Sequence, residues 1–147
     1  MKIRRILVPL DFSVHSMRAL ETAADLAKTF EAELVLMHAY HLPPLFGPPE
    51  ELVIPPDFAA LVRDAAARRL EKAAKQLEGR GLRVSTRLTD LPPAEAIVGA
   101  AKEIGADLIV MSTRGLTGLK HLVLGSVAER TLRHAPCPVL ALKPAEP

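Results

Sequence analysis

Cysteine and aromatic residues are scarce in this 147-residue sequence, which has one cysteine, Cys137, no tryptophan and 3% aromatic residues. A single cysteine excludes an intrachain disulfide and a zinc site built from cysteines, and it favours a reducing, cytoplasmic setting. Few aromatic side chains are present to stack on nucleic-acid bases, and the 19 basic and 17 acidic residues are interspersed rather than segregated. The composition therefore argues against a nucleic-acid partner.

Long hydrophobic runs are also missing. No run reaches the roughly 20 apolar residues needed to cross a bilayer, and the amino terminus lacks the pattern of a signal peptide, so we expect no membrane association. Hydrophobic residues make up 49% of the chain and charged residues 24%. This balance fits one domain with its own core, which we place at residues 1–143, followed by a short polar tail at 144–147.

Five short apolar runs predict β-strands, at residues 3–10, 34–40, 82–88, 106–111 and 138–142. The third run alternates apolar with polar residues, which is typical of a sheet edge. Apolar residues at helical spacing predict four helices, one from the N-cap Ser13 to Phe30 and the others at residues 57–78, 94–104 and 127–134. Residues 41–56 contain six prolines and predict a surface loop, either a flap or a passive excursion.

Alternating strands and helices predict the fold. We expect an α/β, doubly wound domain with a five-stranded, mostly parallel sheet in the order 3-2-1-4-5 and helices on both faces. Ligands of such sheets bind at the carboxyl ends of the strands, where the strand order reverses. If the first and fourth strands are neighbours there, Asp11 and the 112–126 loop face each other across one crevice.

The connection at 112–126 is longer than the usual strand-to-helix loop of about 2–6 residues. It contains Gly115 and Gly125, and Ser126 stands three residues before Glu129, which is the capping-box signature of a helix start with Ser126 as N-cap. Free amides and the positive end of a helix dipole would then face the loop, as an anion requires. We predict a nucleotide-phosphate loop; the alternative is ordinary turn and helix-start glycines.

Other polar residues give weaker indications. Arg114, Lys120 and His121 could pair with phosphates or could simply be solvated, while His38 has no partner at metal-ligand spacing and is interpreted as structural. Cys137 is expected to be a buried, inert thiol. The chain has no Walker sequence and no nucleophile paired with a base, so any ATP hydrolysis should be slow.

Three segments resemble the universal stress protein family, namely residues 6–13, residues 106–111 with the glycine loop that follows them, and residues 135–140, and the resemblance extends from Lys2 to about Lys143. ATP-binding members of that family carry a Gly, two residues, a second Gly, nine residues, then Gly followed by Ser or Thr. This sequence has Ser112, Gly115, Gly125 and Ser126 at the same spacing, with Ser112 in place of the first Gly.

The resemblance implies an ATP site, with Mg²⁺ as a candidate companion. It places Asp11 on the ribose or adenine side, the backbone of Ala39 at the base, and Met111 and Ser112 along base and sugar. The full set of implied contacts is Pro9, Leu10, Asp11, Ala39, Met111, Ser112, Gly115, Gly125, Ser126 and Val127, of which the last four would hold the phosphates. We expect the Ser112 side chain to weaken binding without abolishing it.

The last predicted strand, 138–142, is apolar and lies at the end of the predicted order. An uncovered apolar edge promotes aggregation, so we expect a homodimer through this strand, as the resemblance also implies. The sequence thus predicts a cytoplasmic, homodimeric, ATP-binding stress-response module that regulates a protein partner the sequence does not identify. The alternatives are a dimeric interaction scaffold that binds no nucleotide and a slow adenylate-cleaving enzyme.

Overall fold

The computed structural model describes residues 1–42, 55–116 and 124–144. Strands and helices alternate along the chain, in the order β1 (Arg5–Pro9), α1 (Val14–Phe30), β2 (Glu33–Ala39), α2 (Phe58–Glu78), β3 (Val84–Thr89), α3 (Pro93–Ile104), β4 (Leu108–Ser112), α4 (Ser126–His134) and β5 (Val139–Leu142). Each predicted element is present within two residues of its expected bounds. Most of the predicted proline-rich loop at 41–56 and the middle of the predicted phosphate loop at 112–126 lie outside the described residues.

The five strands form one sheet in the order β3-β2-β1-β4-β5, and all four pairings are parallel. β1 lies in the centre, with Pro9 opposite Met37 of β2 and Leu7 opposite Ile109 of β4. The strand order therefore reverses between β1 and β4, which confirms the predicted topology. A crevice at this reversal can form where both strands end.

Two apolar clusters cover the two faces of the sheet. Leu34 and Leu36 of β2 pack on the face covered by α1 and α2, whereas Val35 and Met37 pack on the face covered by α3 and α4. This alternation follows from the two-residue period of a strand. It explains why the central strands are almost continuously apolar, since each of their faces is buried.

Only the second half of α2 contributes to the core, and its buried residues are Leu70, Ala73, Ala74 and Leu77. Leu61 and Ala65 have the helical spacing of residues on the apolar side of this helix, which predicts their burial; that prediction is wrong, because Leu61 is 54% exposed and Ala65 is exposed. A helix of 21 residues is about 31 Å long, while a strand of six or seven residues spans only about 20 Å. The first half of α2 therefore extends beyond the sheet on the carboxyl-end side of β2.

No helix in the described part of the chain is long and apolar enough to cross a bilayer.

The two ends of α1 are fixed by local hydrogen bonds and backbone geometry. The Ser13 hydroxyl accepts the N–H of Ser16 at 3.1 Å, which confirms Ser13 as the N-cap. At the other end Glu31 adopts a left-handed conformation with φ of 54°. Side chains with a Cβ pay about 1–2 kcal/mol in this region, whereas glycine enters it freely.

Replacing Glu31 by glycine should therefore stabilise the protein. We expect Glu31→Gly to raise the free energy of unfolding by about 0.5–1 kcal/mol, after the higher chain entropy of unfolded glycine is subtracted. Urea denaturation measures the change. Asp25→Gly, at an exposed interior position of α1, is the matched control and should lower stability by about 1 kcal/mol; a loss of stability in both variants would contradict the expectation.

Candidate functional site

The carboxyl ends of three adjacent strands form the base of the predicted site. β1 ends at Pro9, β2 ends at Ala39 and β4 ends at Ser112. Neighbouring strands are about 4.8 Å apart, so these three ends lie within two strand spacings of one another. The structure thus brings together six of the residues expected from sequence, namely Pro9, Leu10, Asp11, Ala39, Met111 and Ser112. Leu10 and Met111 are buried, and Asp11 is half-buried.

Asp11 connects the end of β1 to the glycine loop that follows β4. One carboxylate oxygen, Oδ1, accepts the N–H of Ser13, and the other, Oδ2, accepts the N–H of Leu116, each at 2.9 Å. Gly115 lies directly beneath this contact, since a Cβ built on it would be 2.4 Å from Oδ2. Asp11 therefore lies beside the loop, as expected. It is hydrogen-bonded to the loop directly and does not merely face it across a crevice.

Hydrogen bonding determines the ionisation of Asp11. Burial is the largest single influence and acts to raise the pKa of Asp11, but hydrogen bonds from Ser13 and Ser16 and from the backbone of Leu116 together outweigh it. The pKa of Asp11 therefore lies below its ordinary value of 3.8. The side chain is a carboxylate at neutral pH, and the loop amide faces a full negative charge.

A second backbone contact joins the two ends of the loop. The carbonyl of Thr113 accepts the N–H of Gly125 at 2.7 Å, and a Cβ on Gly125 would be 3.0 Å from that carbonyl oxygen. Thr113 is itself held to the sheet, because its N–H donates to the carbonyl of Leu142 in β5 at 2.9 Å. A side chain at Gly125 would therefore be tight against the close backbone approach that places the start of α4 beside the end of β4.

The predicted capping box at the start of α4 is wrong. Gly125 is the N-cap, Ser126 is the first helical residue, and the N–H of Glu129 donates to the Gly125 carbonyl. The Glu129 side chain instead pairs with Arg133. Because Gly125 has no side chain with which to cap the helix, the first-turn amides at Ser126 and Val127 are not served by an N-cap oxygen. Among the described residues no acceptor takes these amides, so the helix start there retains donors that an anion would use.

Phe12 is a site residue that the sequence did not indicate. It has a left-handed backbone with φ of 61°, which is costly for a side chain of this size. Its ring centroid lies 4.8 Å from that of His38, and the guanidinium carbon of Arg69 lies 4.4 Å from the Phe12 centroid. The His38 Nδ1–H donates to the Leu10 carbonyl at 2.7 Å, in keeping with a structural role. These contacts hold the turn that carries Asp11.

Two further residues of the loop, Leu116 and Thr113, were not indicated by the sequence. Leu116 supplies the amide that Asp11 holds, although nothing in its apolar side chain signals this role. Thr113 has a buried hydroxyl with no hydrogen-bond partner in the part of the chain that the structure describes. An unpaired buried hydroxyl costs about 1–3 kcal/mol, so its presence beside the loop marks a place where a ligand atom would be favourable.

The sequence also suggested three charged or titratable residues in the loop and one cysteine. Lys120 and His121 lie outside the described residues, and Arg114 is partly buried beside Gly115. Burial, and secondarily the negative charge of Asp107, raises the pKa of the Cys137 thiol, so the thiol is protonated at neutral pH. This agrees with an inert cysteine, but the prediction that Cys137 is buried is wrong, because its side chain is only partly buried.

Two clefts lie away from the strand ends that meet at Asp11. One, of about 490 Å³, is at the amino ends of the strands and is lined by Lys2, Arg4, Arg5, Phe30, Arg83 and Asp107 among others. Several of its charged groups already have partners, since Arg5 forms an ion pair with Glu33 and the Asp107 carboxylate accepts hydrogen bonds from backbone amides. The other, of about 780 Å³, lies between α2 and β3. Neither cleft includes a residue of the predicted site.

Known proteins resemble this chain over nearly its whole length. The model of the universal stress protein family matches residues 2–143. Universal stress protein MJ0531 of Methanocaldococcus jannaschii is 37% identical over 144 residues, covering 95% of this chain and 82% of that protein. The solved structure of MJ0577, from the same organism, has a TM-score of 0.84 with 26% identity and covers 100% of both chains. A universal stress protein solved in complex with cAMP has a TM-score of 0.70 with 25% identity, covering 97% of this chain and 98% of that one.

The Asp11 hydrogen bonds should make stability depend on pH. Because the pKa of Asp11 is lower in the folded than in the unfolded chain, its stabilisation is complete above the unfolded value of 3.8 and is lost as pH falls through the folded value. We expect Asp11→Asn to lower the free energy of unfolding by about 1 kcal/mol at neutral pH, a figure discounted for partial exposure.

Urea denaturation at neutral pH and at about pH 3 measures this difference. The gap between wild type and Asp11→Asn should shrink at the lower pH. Asp25→Asn, an exposed carboxylate of α1, serves as control. A gap that stays constant or widens on acidification would show that Asp11 is not stabilised as a carboxylate.

Proposed function

Since the chain belongs to the universal stress protein family, we propose that it binds an adenine nucleotide, with ATP and Mg²⁺ as the leading ligand, at the carboxyl ends of β1 and β4. The bound nucleotide acts as a regulatory signal read by a protein partner, in the reducing cytoplasm that the single cysteine favours. Rapid catalysis is not part of the proposal.

The observation that carries this proposal is the bond between the Gly125 N–H and the Thr113 carbonyl. It holds the amino end of α4 next to the end of β4, so that the first amides of α4, at Ser126 and Val127, lie near the reversal of strand order. An anion bound there interacts with several N–H donors and with the positive end of the helix dipole. Phosphate groups are the anions best matched to such a cluster of amides.

The residues at this position fit a nucleotide in their chemistry. The sequence assigned the phosphate groups to the backbone of Gly115, Gly125, Ser126 and Val127; because the Gly125 amide already donates to the Thr113 carbonyl, we assign them to the amides of Gly115, Ser126 and Val127, with the exposed Ser126 side chain adding a hydroxyl. Asp11 would accept from ribose or adenine, and the backbone around Ala39 would meet the base. The unpaired Thr113 hydroxyl is a further group that a polar ligand atom would satisfy.

The Ser112 substitution is compatible with this site. Its hydroxyl donates to the Arg114 carbonyl within the same turn, so the polar group of the side chain is already satisfied. The structural relative solved in complex with cAMP covers this chain almost completely and supports an adenine nucleotide as the ligand class. A cyclic monophosphate carries less charge than ATP, which makes the number of phosphates the main question about the ligand.

The chemistry of Asp11 supports binding without fast hydrolysis. A general base works best when its pKa is near the working pH. The hydrogen bonds that lower the pKa of Asp11 move it away from that range, so it is a poor base for activating water. Nucleotide occupancy, rather than turnover, is the output that this arrangement favours.

We also propose a homodimer formed through β5. Among the described strands it pairs only with β4, and its Leu140 is 37% exposed at the sheet edge. The opposite edge, β3, carries polar residues and an ion pair between Arg87 and Glu103 at 2.8 Å. Leu132 of α4 is 43% exposed and adds apolar surface near the same end of the chain. Pairing with β5 of a second copy would cover the apolar edge.

A scaffold that binds no nucleotide is the second candidate. The observation that favours it is the Asp11 carboxylate itself, which already occupies the Leu116 amide. In such a scaffold the Asp11 side chain would hold the Leu116 amide of the loop in every state. The two candidates differ in whether the purified protein carries a bound nucleotide and in whether it binds added ATP.

Isothermal titration with Mg-ATP tests nucleotide binding. We expect Gly125→Val to weaken binding by about tenfold or more, because the added side chain would push Thr113 and the start of α4 apart. Gly99→Val is the matched control, since Gly99 is exposed in α3 with open space around its Cβ position. Equal affinity in all three proteins, or no heat and no nucleotide released from denatured wild type, would exclude binding at this loop and favour the scaffold.

The dimer is tested by light scattering of Leu140→Lys. A charge placed on the apolar edge should prevent strand pairing and yield a monomer, or an aggregate if the edge remains exposed. Leu61→Lys is the control, because Leu61 is similarly exposed but lies on α2; it should remain dimeric. An unchanged dimer in Leu140→Lys would refute the interface.

A further inference from the structure

Asp11 is an acidic side chain that is hydrogen-bonded to the loop proposed to bind an anion. Its two oxygens hold two backbone amides, at Ser13 and Leu116, at equal distances of 2.9 Å. Gly115, which lies next to the second bond, lacks a Cβ, and one built there would lie 2.4 Å from Oδ2. Gly115 therefore makes room for the Asp11 carboxylate as much as for any ligand.

A carboxylate oxygen and a phosphate oxygen present the same chemistry to an amide. Each is an anionic acceptor, and one N–H cannot form a linear hydrogen bond to both. A carboxylate and a phosphate that approach the same amide also repel each other. We propose that Asp11 is an internal competitor for the loop, which occupies the Leu116 amide in the ligand-free protein and must be displaced by the anionic group of a bound ligand. This inference rests on the proposed nucleotide site.

The surroundings of Asp11 allow such an exchange. The Ser13 amide lies on its own turn and can continue to hold Oδ1 while Oδ2 releases Leu116. Leu116 is 73% exposed, so no packed side chain has to be extracted when its backbone changes partner. The Phe12 turn beneath is fixed by contacts with His38 and Arg69, so the change is confined to the loop.

Competition of this kind makes Asp11 a determinant of specificity. A ligand that places a negative group at the Leu116 amide must displace the carboxylate and tolerate its charge, whereas an uncharged nucleoside does neither. The carboxylate therefore lowers the affinity for phosphorylated ligands relative to the matching nucleoside. It also links ligand binding to a change in the loop backbone, which is the kind of two-state element that a partner can read.

Amide hydrogen exchange in the ligand-free protein tests the contact itself. In wild type the Leu116 amide should exchange slowly for so exposed a residue, and in Asp11→Asn and Asp11→Ala it should exchange about tenfold faster. Asp25→Asn should leave the rate unchanged. Equal Leu116 exchange in wild type and both Asp11 variants would overturn the proposal.

A stability cycle tests whether Gly115 and Asp11 are coupled. Gly115→Ala should destabilise the wild type because the added methyl group meets Oδ2, and should have little effect in the Asp11→Ala background, where that oxygen is gone. Additive effects of the two substitutions would contradict the coupling. Wild type, Gly115→Ala, Asp11→Ala and the double variant are compared by urea denaturation. The coupling free energy can be calculated even where a variant is less stable than wild type.

Calorimetric titration with ATP and with adenosine tests the competition. The ratio of ATP affinity to adenosine affinity should rise about three- to tenfold in Asp11→Asn, even if a lost ribose contact lowers both affinities. A ratio that is unchanged or lower would refute competition while leaving nucleotide binding intact. Failure of wild type and variant to bind either ligand would instead refute the proposed function, and the displacement with it.

Discussion

Parallel pairing between β1 and β4 is the constraint on which the rest of the structure depends. It makes the strand order reverse in the middle of the sheet, and it brings the end of β1, which carries Asp11, beside the end of β4, which carries the glycine loop. These segments are far apart in sequence. Their hydrogen bond therefore exists only because the apolar faces of the central strands are buried on both sides of one sheet.

The fold followed from the sequence because its determinants are local and periodic. Apolar runs such as that of β2 could only be satisfied by burial on both faces, and the alternation with helices then allowed few topologies. The extent of burial along α2 did not follow. Leu61 has the spacing of a core residue, but the sheet ends before the helix does, and sheet length is a property of other segments.

The candidate site was only partly predictable, because spacing identifies residues but not their neighbours. Gly115 and Gly125 stood out in the sequence, yet the groups that require them, the Asp11 carboxylate and the Thr113 carbonyl, are tertiary contacts. The capping signature at Ser126 failed because the bond to Thr113 fixes Gly125 as the cap instead. Nothing in the residue type of Phe12 indicates its left-handed backbone, which its ring contacts stabilise.

Nucleotide binding at the β1–β4 strand ends can be observed most directly by following backbone amide resonances during titration with Mg-ATP. The largest shifts should occur at Gly115, Leu116, Gly125, Ser126 and Val127, with smaller shifts near Ala39. Shifts confined to the basic cleft at the amino ends of the strands, around Lys2 and Arg4, or no shifts at saturating ligand, would contradict a phosphate site at the glycine loop.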